Sequence, residues 1–223
     1  MMKKIVFTLM LISSVAMAQE KVTMNVGDFH SLKTYRGLQV EMIKSNESKV
    51  VIEGNRSSEV TVKNSNGILR ISMSISHTFS ADEVMVYLYY KDEVNLIDAN
   101  EGSYIFSDEV IKQDHVTLKA QEAGRIKLEV ETNKVESNAV TGGEVKVKGT
   151  TTELDVKANT GGMFRGERLK SENAEVSAGT GGVADVHALK IVNAKATTGG
   201  VVSISGDPEE VKKSESLGGY VRQ

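Results

Sequence analysis

The chain has 223 residues, 27 basic and 30 acidic, with one proline and neither cysteine nor tryptophan. A formal charge of −3 with interspersed signs excludes the basic footprint of a nucleic-acid binder. The missing cysteine excludes disulfide staples and a lipoprotein thiol anchor. One proline and no tryptophan argue against proline-rich linkers and aromatic carbohydrate platforms.

Residues 1–18 read as a secretory signal peptide. Lys3 and Lys4 form a basic start, IVFTLMLI (5–12) is a short apolar run, and Ala16-Met17-Ala18 is an A-x-A cleavage signal. The run is too short for a comfortable membrane span, and no second one follows. The expected mature chain, 19–223, is one domain without a transmembrane helix, exported to the periplasm or the outer cell surface. Losing Lys3 and Lys4 takes its formal charge to −5 (27 basic residues less two, against 30 acidic).

Residues 19–93 are rich in strand signals. Leu38-Gln39-Val40-Glu41-Met42 and Glu59-Val60-Thr61-Val62-Lys63 alternate, as do the residues from Val84 to Tyr90. Asn66-Gly67 between two such runs marks a hairpin. This region lies outside the register of the repeat that follows and is expected to continue into it and cap its first rung.

Residues 94–223 repeat. Glycine pairs begin at Gly142, Gly161, Gly181, Gly199 and Gly218, with degenerate forms at Gly102-Ser103 and Ala123-Gly124. First positions are spaced by 21, 19, 19, 20, 18 and 19 residues, a solenoid period. Three residues before the pair stand Ala99, Ala120, Ala139, Ala158, Ala178 and Ala196; the last repeat has Glu215 there. Three after stand Ile105, Ile126, Val145, Phe164, Ala184, Val202 and Val221. Odd offsets are mainly apolar and the intervening even offsets mainly polar, the period-two mark of strands with one buried face. Such strands must stack to bury that face. The expected fold is therefore all-β, a solenoid of about 19-residue rungs turned by the glycine pairs. Thr141, Thr160, Thr180 and Thr198 are expected to stack beside the turn, hydroxyl against hydroxyl.

The exported β-rich start with GLQVEMIKSNESKVVIEGN (37–55), NGILRIS (66–72) and the A-x-T-G-G string resembles the head GIN domain family, proposed adhesins of Bacteroidetes. The likeness covers nearly all of the mature chain. It implies a right-handed parallel β-helix, an exported location and adhesive binding without a defined ligand or catalytic residues. The auto-transporter label given to this family implies a translocator barrel, for which about four residues after the last glycine pair leave no room.

Function is expected on the outward, even offsets. Two residues after the pair, Met163, Val183, Val201 and Tyr220 form either an exposed apolar binding stripe or a column tucked in behind the turn. Six before it, Glu136, Asp155 and Glu175 align three carboxylates. Such a column is first a solvated face, balanced by Lys157 and Lys195, and only second a Ca²⁺ site. Arg165 and Asp185 share an offset in adjacent rungs and are expected to pair. Tyr87, Tyr89 and Tyr90 suit strand packing before sugar stacking. His30, His77, His115 and His187 are scattered, and no nucleophile elbow or phosphate-binding loop occurs.

The expected function is thus a non-enzymatic cell-envelope protein, an adhesin-like binder or scaffold. It would act without a cofactor, as a monomer, on an unidentified glycan or protein. The rivals are a polysaccharide lyase or hydrolase, using the acidic column with Lys157 or Arg165, and a purely structural envelope protein.

Overall fold

A computed structural model describes residues 21–74 and 84–223; the export signal and His77 lie outside them. The described residues form a parallel β-solenoid of about seven turns with rungs about 19 residues apart. Four long strands show the unit: β11 (Arg125–Val140), β12 (Glu144–Asn159), β13 (Met163–Gly179) and β14 (Val183–Thr197). The first half of each lies on one face of the solenoid, wall A, and the second half on another, wall B. The threonine-glycine-glycine turn leads from wall B to the next rung.

Successive strands pair in parallel with each sequence column in register. Ile126 faces Val145, which faces Phe164; Ala139 faces Ala158, which faces Ala178. The inward columns of both walls meet in one continuous hydrophobic core. Side-chain sizes compensate within it. The ring of Phe164, fully buried, is flanked by Ala184 on the next rung. It also fills the space beside Gly166, where an added Cβ would lie 2.3 Å from it.

The two glycines of a pair are present for different reasons. Gly161 has φ of 71° and open space around its missing side chain, so backbone conformation selects it. Gly162 needs no unusual φ, but its Cβ would lie 2.0 Å from the carbonyl oxygen of Ala139 on the preceding rung. Close stacking selects the second glycine. The threonines before the pairs adopt φ of 48° to 50°, a strained region for a β-branched residue. They do not join hydroxyl to hydroxyl as expected. The link between turns is backbone: the N–H of Gly142 donates to the Thr160 carbonyl at 3.2 Å, and that of Gly161 to the Thr180 carbonyl at 3.1 Å.

The N-terminal region departs from the sequence expectation. It contains β1 (Lys21–Asn25), β2 (Ser31–Tyr35), β3 (Gln39–Lys44), β4 (Lys49–Glu53), β5 (Val60–Ser65), β6 (Ile68–Met73) and β7 (Met85–Tyr90). β8 (Leu96–Ala99) and β9 (Tyr104–Lys112) follow as the next rung. β2 and β3 are themselves a rung in register: Leu32 faces Ile97, Thr34 takes the alanine column beside Ala99, and Val40 faces Ile105. Arg36 and Gly37 make the turn, with φ of 61° and 70°. The sequence hides this because Leu38 stands where the second glycine would be.

This rung is also out of chain order. It lies between β6–β7 on one side and β8–β9 on the other, in parallel with both. Beyond β6–β7 the stack closes with antiparallel strands: β5 on β6, β4 on β7 and β1 on β4. The Asn66-Gly67 hairpin joins β5 to β6, as the sequence predicts, with both residues at positive φ.

From Lys112 the chain returns along β10 (His115–Ala120) on wall B. At the far end stand β15 (Val201–Ser205), β16 (Glu210–Ser216) and β17 (Tyr220–Arg222). β16 pairs with β14, and Glu215 occupies the alanine column beside Ala196. Val221 is buried, whereas Leu217 is 81% exposed.

Candidate functional site

Wall A carries a continuous outward column in register. Tyr104, Arg125, Glu144, Met163, Val183, Val201 and Tyr220 face one another from rung to rung. Met163, Val183 and Val201 are half-buried; Tyr220, on the last rung, is 57% exposed. The column behind it (Val145, Phe164, Ala184, Val202) is fully buried, so the outward column lies over the core wall. Arg165 extends along its edge, with one guanidinium nitrogen 3.5 Å from the Met163 sulfur.

The next outward column is basic. Lys127, Lys146 and Arg165 face one another on three consecutive rungs, between Phe106 and Asp185. The expected pair of Arg165 with Asp185 forms at 3.7 Å, but its nearer partner is Glu144 at 2.8 Å. Lys148 pairs with Glu129 at 2.6 Å. A cleft of about 380 Å³ opens here, lined by Lys127, Lys146, Lys148 and Arg168 with Asp108 and Glu167.

The cleft exists because neighbouring rungs differ in length. Between Phe106, paired with Lys127, and Val110, paired with Glu129, three residues of β9 stand opposite Leu128 alone. Between Arg165 and Arg168, two residues of β13 stand opposite Val147 alone. The two central rungs run straight while both flanking rungs bulge, and bulges re-aim side chains. The β9 bulge is pinned by Ser107, whose hydroxyl donates to the Met42 carbonyl at 2.8 Å, and by Glu109, which accepts the Lys44 N–H at 2.9 Å. Nearby, burial first and then Asp108 and Glu109 push the Glu41 carboxyl above its ordinary range. Sequence reasoning missed this cleft. Its signal was the spacing, since the two bulges occupy the 21- and 20-residue repeats.

On wall B, Glu136, Asp155 and Glu175 face one another as the spacing predicts. Glu136 is tied to Lys134 and accepts from the Thr117 hydroxyl at 3.3 Å. Hydrogen bonding to Lys134 holds its carboxyl below the ordinary range. Among the described residues no group of three or more histidine or acidic side chains converges on a point where a metal ion would sit. Lys157 and Lys195 lie in the neighbouring column and alternate there with Asn138, Ser177 and Ser214. In the tyrosine run, Tyr90 is buried and its hydroxyl is pushed up to about 12 by burial. Lysine ammonium groups lie 5.0 Å from the ring centres of Tyr89 and Tyr90.

The family model described as putative auto-transporter adhesin, head GIN domain, matches residues 28–208. No curated protein matches the chain. Three solved structures share the fold. A putative adhesin from Bacteroides fragilis superposes with a TM-score of 0.83 at 15% identity, covering 93% of this chain and 97% of its own. A putative adhesin from Parabacteroides merdae gives 0.72 at 14% identity, covering 93% and 96%. A putative lipid binding protein from Parabacteroides distasonis gives 0.68 at 16% identity, covering 93% and 97%. At these identities the likeness is one of fold.

Proposed function

Because the chain belongs to the head GIN, putative auto-transporter adhesin family, we propose that it is an exported, non-enzymatic cell-envelope protein that binds its ligand through the side of the solenoid. The observation that carries this reading is the in-register column of Met163, Val183, Val201 and Tyr220 on wall A. A rigid stack holds these side chains about 4.8 Å apart from rung to rung, so a partner meets a preformed strip and little ordering cost is left for binding. The adhesin names of two structural neighbours agree with binding as the role.

The test is capture of purified protein on immobilised envelope fractions. Val201→Ser with Tyr220→Ser should weaken capture several-fold, and Tyr220→Ser alone, at an exposed site, should change the unfolding free energy by no more than about 0.5 kcal/mol. Equal capture by wild type and variant would remove the strip from the proposal. Polysaccharide turnover that is lost on Asp155→Asn would remove its non-enzymatic aspect.

A further inference from the structure

Each wall carries like charges in register, acidic on wall B (Glu136, Asp155 and Glu175) and basic on wall A. On wall B the lysines of the comparable column alternate with serine and asparagine, so no two face each other directly. On wall A, Lys127 and Lys146 face each other and Arg165 follows on the next rung. Like charges directly opposite on neighbouring strands destabilise a sheet. Glu144 and Asp185 answer Arg165, and Glu129 answers Lys148. Among the described residues no ion pair answers Lys127, Lys146 or Arg168, and Lys127 and Arg168 are exposed. All three line one cleft, between the β9 and β13 bulges. Repulsion on this wall thus falls at a concavity, the cleft between the two bulges.

The walls of the cleft specify the ligand further. Asp108 projects from the β9 bulge and Glu167 from the β13 bulge. A carboxylate repels a bare anion or a flat anionic surface, but accepts hydrogen bonds from hydroxyl groups. Cations on the floor with carboxylates on the walls fit a ligand that carries both an oxyanion and hydroxyls. An aromatic pair lies on the rung beside Lys127, next to the cleft lining. Phe106 faces Lys127 on the adjacent rung and stacks on Tyr104 with ring centres 5.1 Å apart, and Arg125 lies 5.2 Å from the Tyr104 ring centre. The volume, about 380 Å³, is that of a small-ligand site.

We propose that the bulge-walled cleft of wall A binds an acidic saccharide, with Lys127, Lys146 and Arg168 holding its carboxylate or sulfate and Asp108 and Glu167 accepting from its hydroxyls. This rests on the reading of wall A as a binding surface, but uses different residues from the apolar column.

The experiment is isothermal titration of the purified protein with an oligogalacturonate and with a sulfated oligosaccharide. A neutral oligosaccharide of equal length, inorganic sulfate and phosphatidylglycerol vesicles serve as comparison probes. At least one acidic oligosaccharide should bind, more weakly as salt rises, and the neutral one at least tenfold more weakly. Lys127→Ser with Lys146→Ser should reduce affinity at least tenfold. Lys157→Ser with Lys195→Ser, an equal charge change on wall B, should leave it within twofold. Asp108→Val with Glu167→Leu, which removes the acceptors, should weaken the saccharide and not inorganic sulfate. On the wild type, the amide resonances of Lys127, Lys146 and Arg168 should shift on titration. No binding of either acidic oligosaccharide overturns the proposal, as do equal losses in the two lysine pairs. Vesicles bound as well as the saccharide would make the cleft a lipid-surface site and overturn it too. If envelope capture depends on Val201 and Tyr220 while neither oligosaccharide binds, the cleft fails and the broader reading stands.

Discussion

At its N-terminal end the solenoid closes with backbone, and at its C-terminal end with charge. The antiparallel strands β4, β5 and β1 cover the outermost parallel rung there, over large buried side chains such as Leu69, Ile71 and Leu88. The far end has a thinner interior, built on Ala184, Ala194 and Ala196. Its last rung places Lys213 and Glu215 in columns that carry no other charge, and both are exposed. The Glu215 carboxylate turns to accept the Val221 N–H at 2.6 Å, occupying a backbone donor. Inward charges on an edge strand discourage pairing with another chain. One end is therefore sealed by burial and the other by making a further strand unwelcome.

The largest effect that could break this contrast lies at the sealed end. Leu69→Ala should cost about 2–5 kcal/mol, since the side chain is fully buried and the strands on both sides hold it in place. Urea denaturation should show the loss, and hydrogen exchange should find the slowest amides in β2, β3 and β6 and the fastest in β16 and β17. Equal protection at both ends would erase the distinction.

In the regular rungs between the ends, the glycine pair gives a finer comparison. Gly161→Ala should cost about 1–2 kcal/mol, the ordinary penalty of a left-handed backbone for an L-residue. Gly162→Ala should cost more, because its Cβ must push the Ala139 carbonyl away and force neighbouring rungs apart. Matching midpoints for the two variants would mean that stacking is looser than the 2.0 Å approach requires.

The smallest change in stability, and the plainest change in mass, belongs to the charged end. Lys213→Val with Glu215→Ala restores the repeat and should produce end-to-end dimers in light scattering as concentration rises. A mass that stays at the wild-type value would mean that another feature blocks stacking.

Most of this architecture was legible in the sequence because period-two alternation and a recurring glycine turn are local signals. The columns of Ala139, Ala158 and Ala178 needed only counting. The β2–β3 rung was not legible, since Leu38 breaks the glycine pair and its partners on one side are more than sixty residues away in β8 and β9. The outward columns were placed correctly by offset, but offset cannot report depth. Met163 and Val183 are half-covered, whereas Tyr220 in the same column is 57% exposed. The cleft lay in the irregularities of the period. An insertion of one or two residues reads as noise along a single strand, and becomes a wall only when the neighbouring rung lacks it.

The out-of-order rung governs how the molecule is put together. β2–β3 cannot be completed on both sides until β6–β7 has folded back on one face and β8–β9 has passed it on the other. Every later rung needs only the rung before it. Strands β1 to β9 thus form a clasp whose pieces interlock across the chain, while each later rung contacts mainly its neighbours. Such a molecule can be lengthened or shortened near its C-terminal end by whole rungs with little consequence for the rest. Removing β2–β3 would leave a gap of about 10 Å between the rungs it separates, two strand spacings wide, and nothing to start the stack upon.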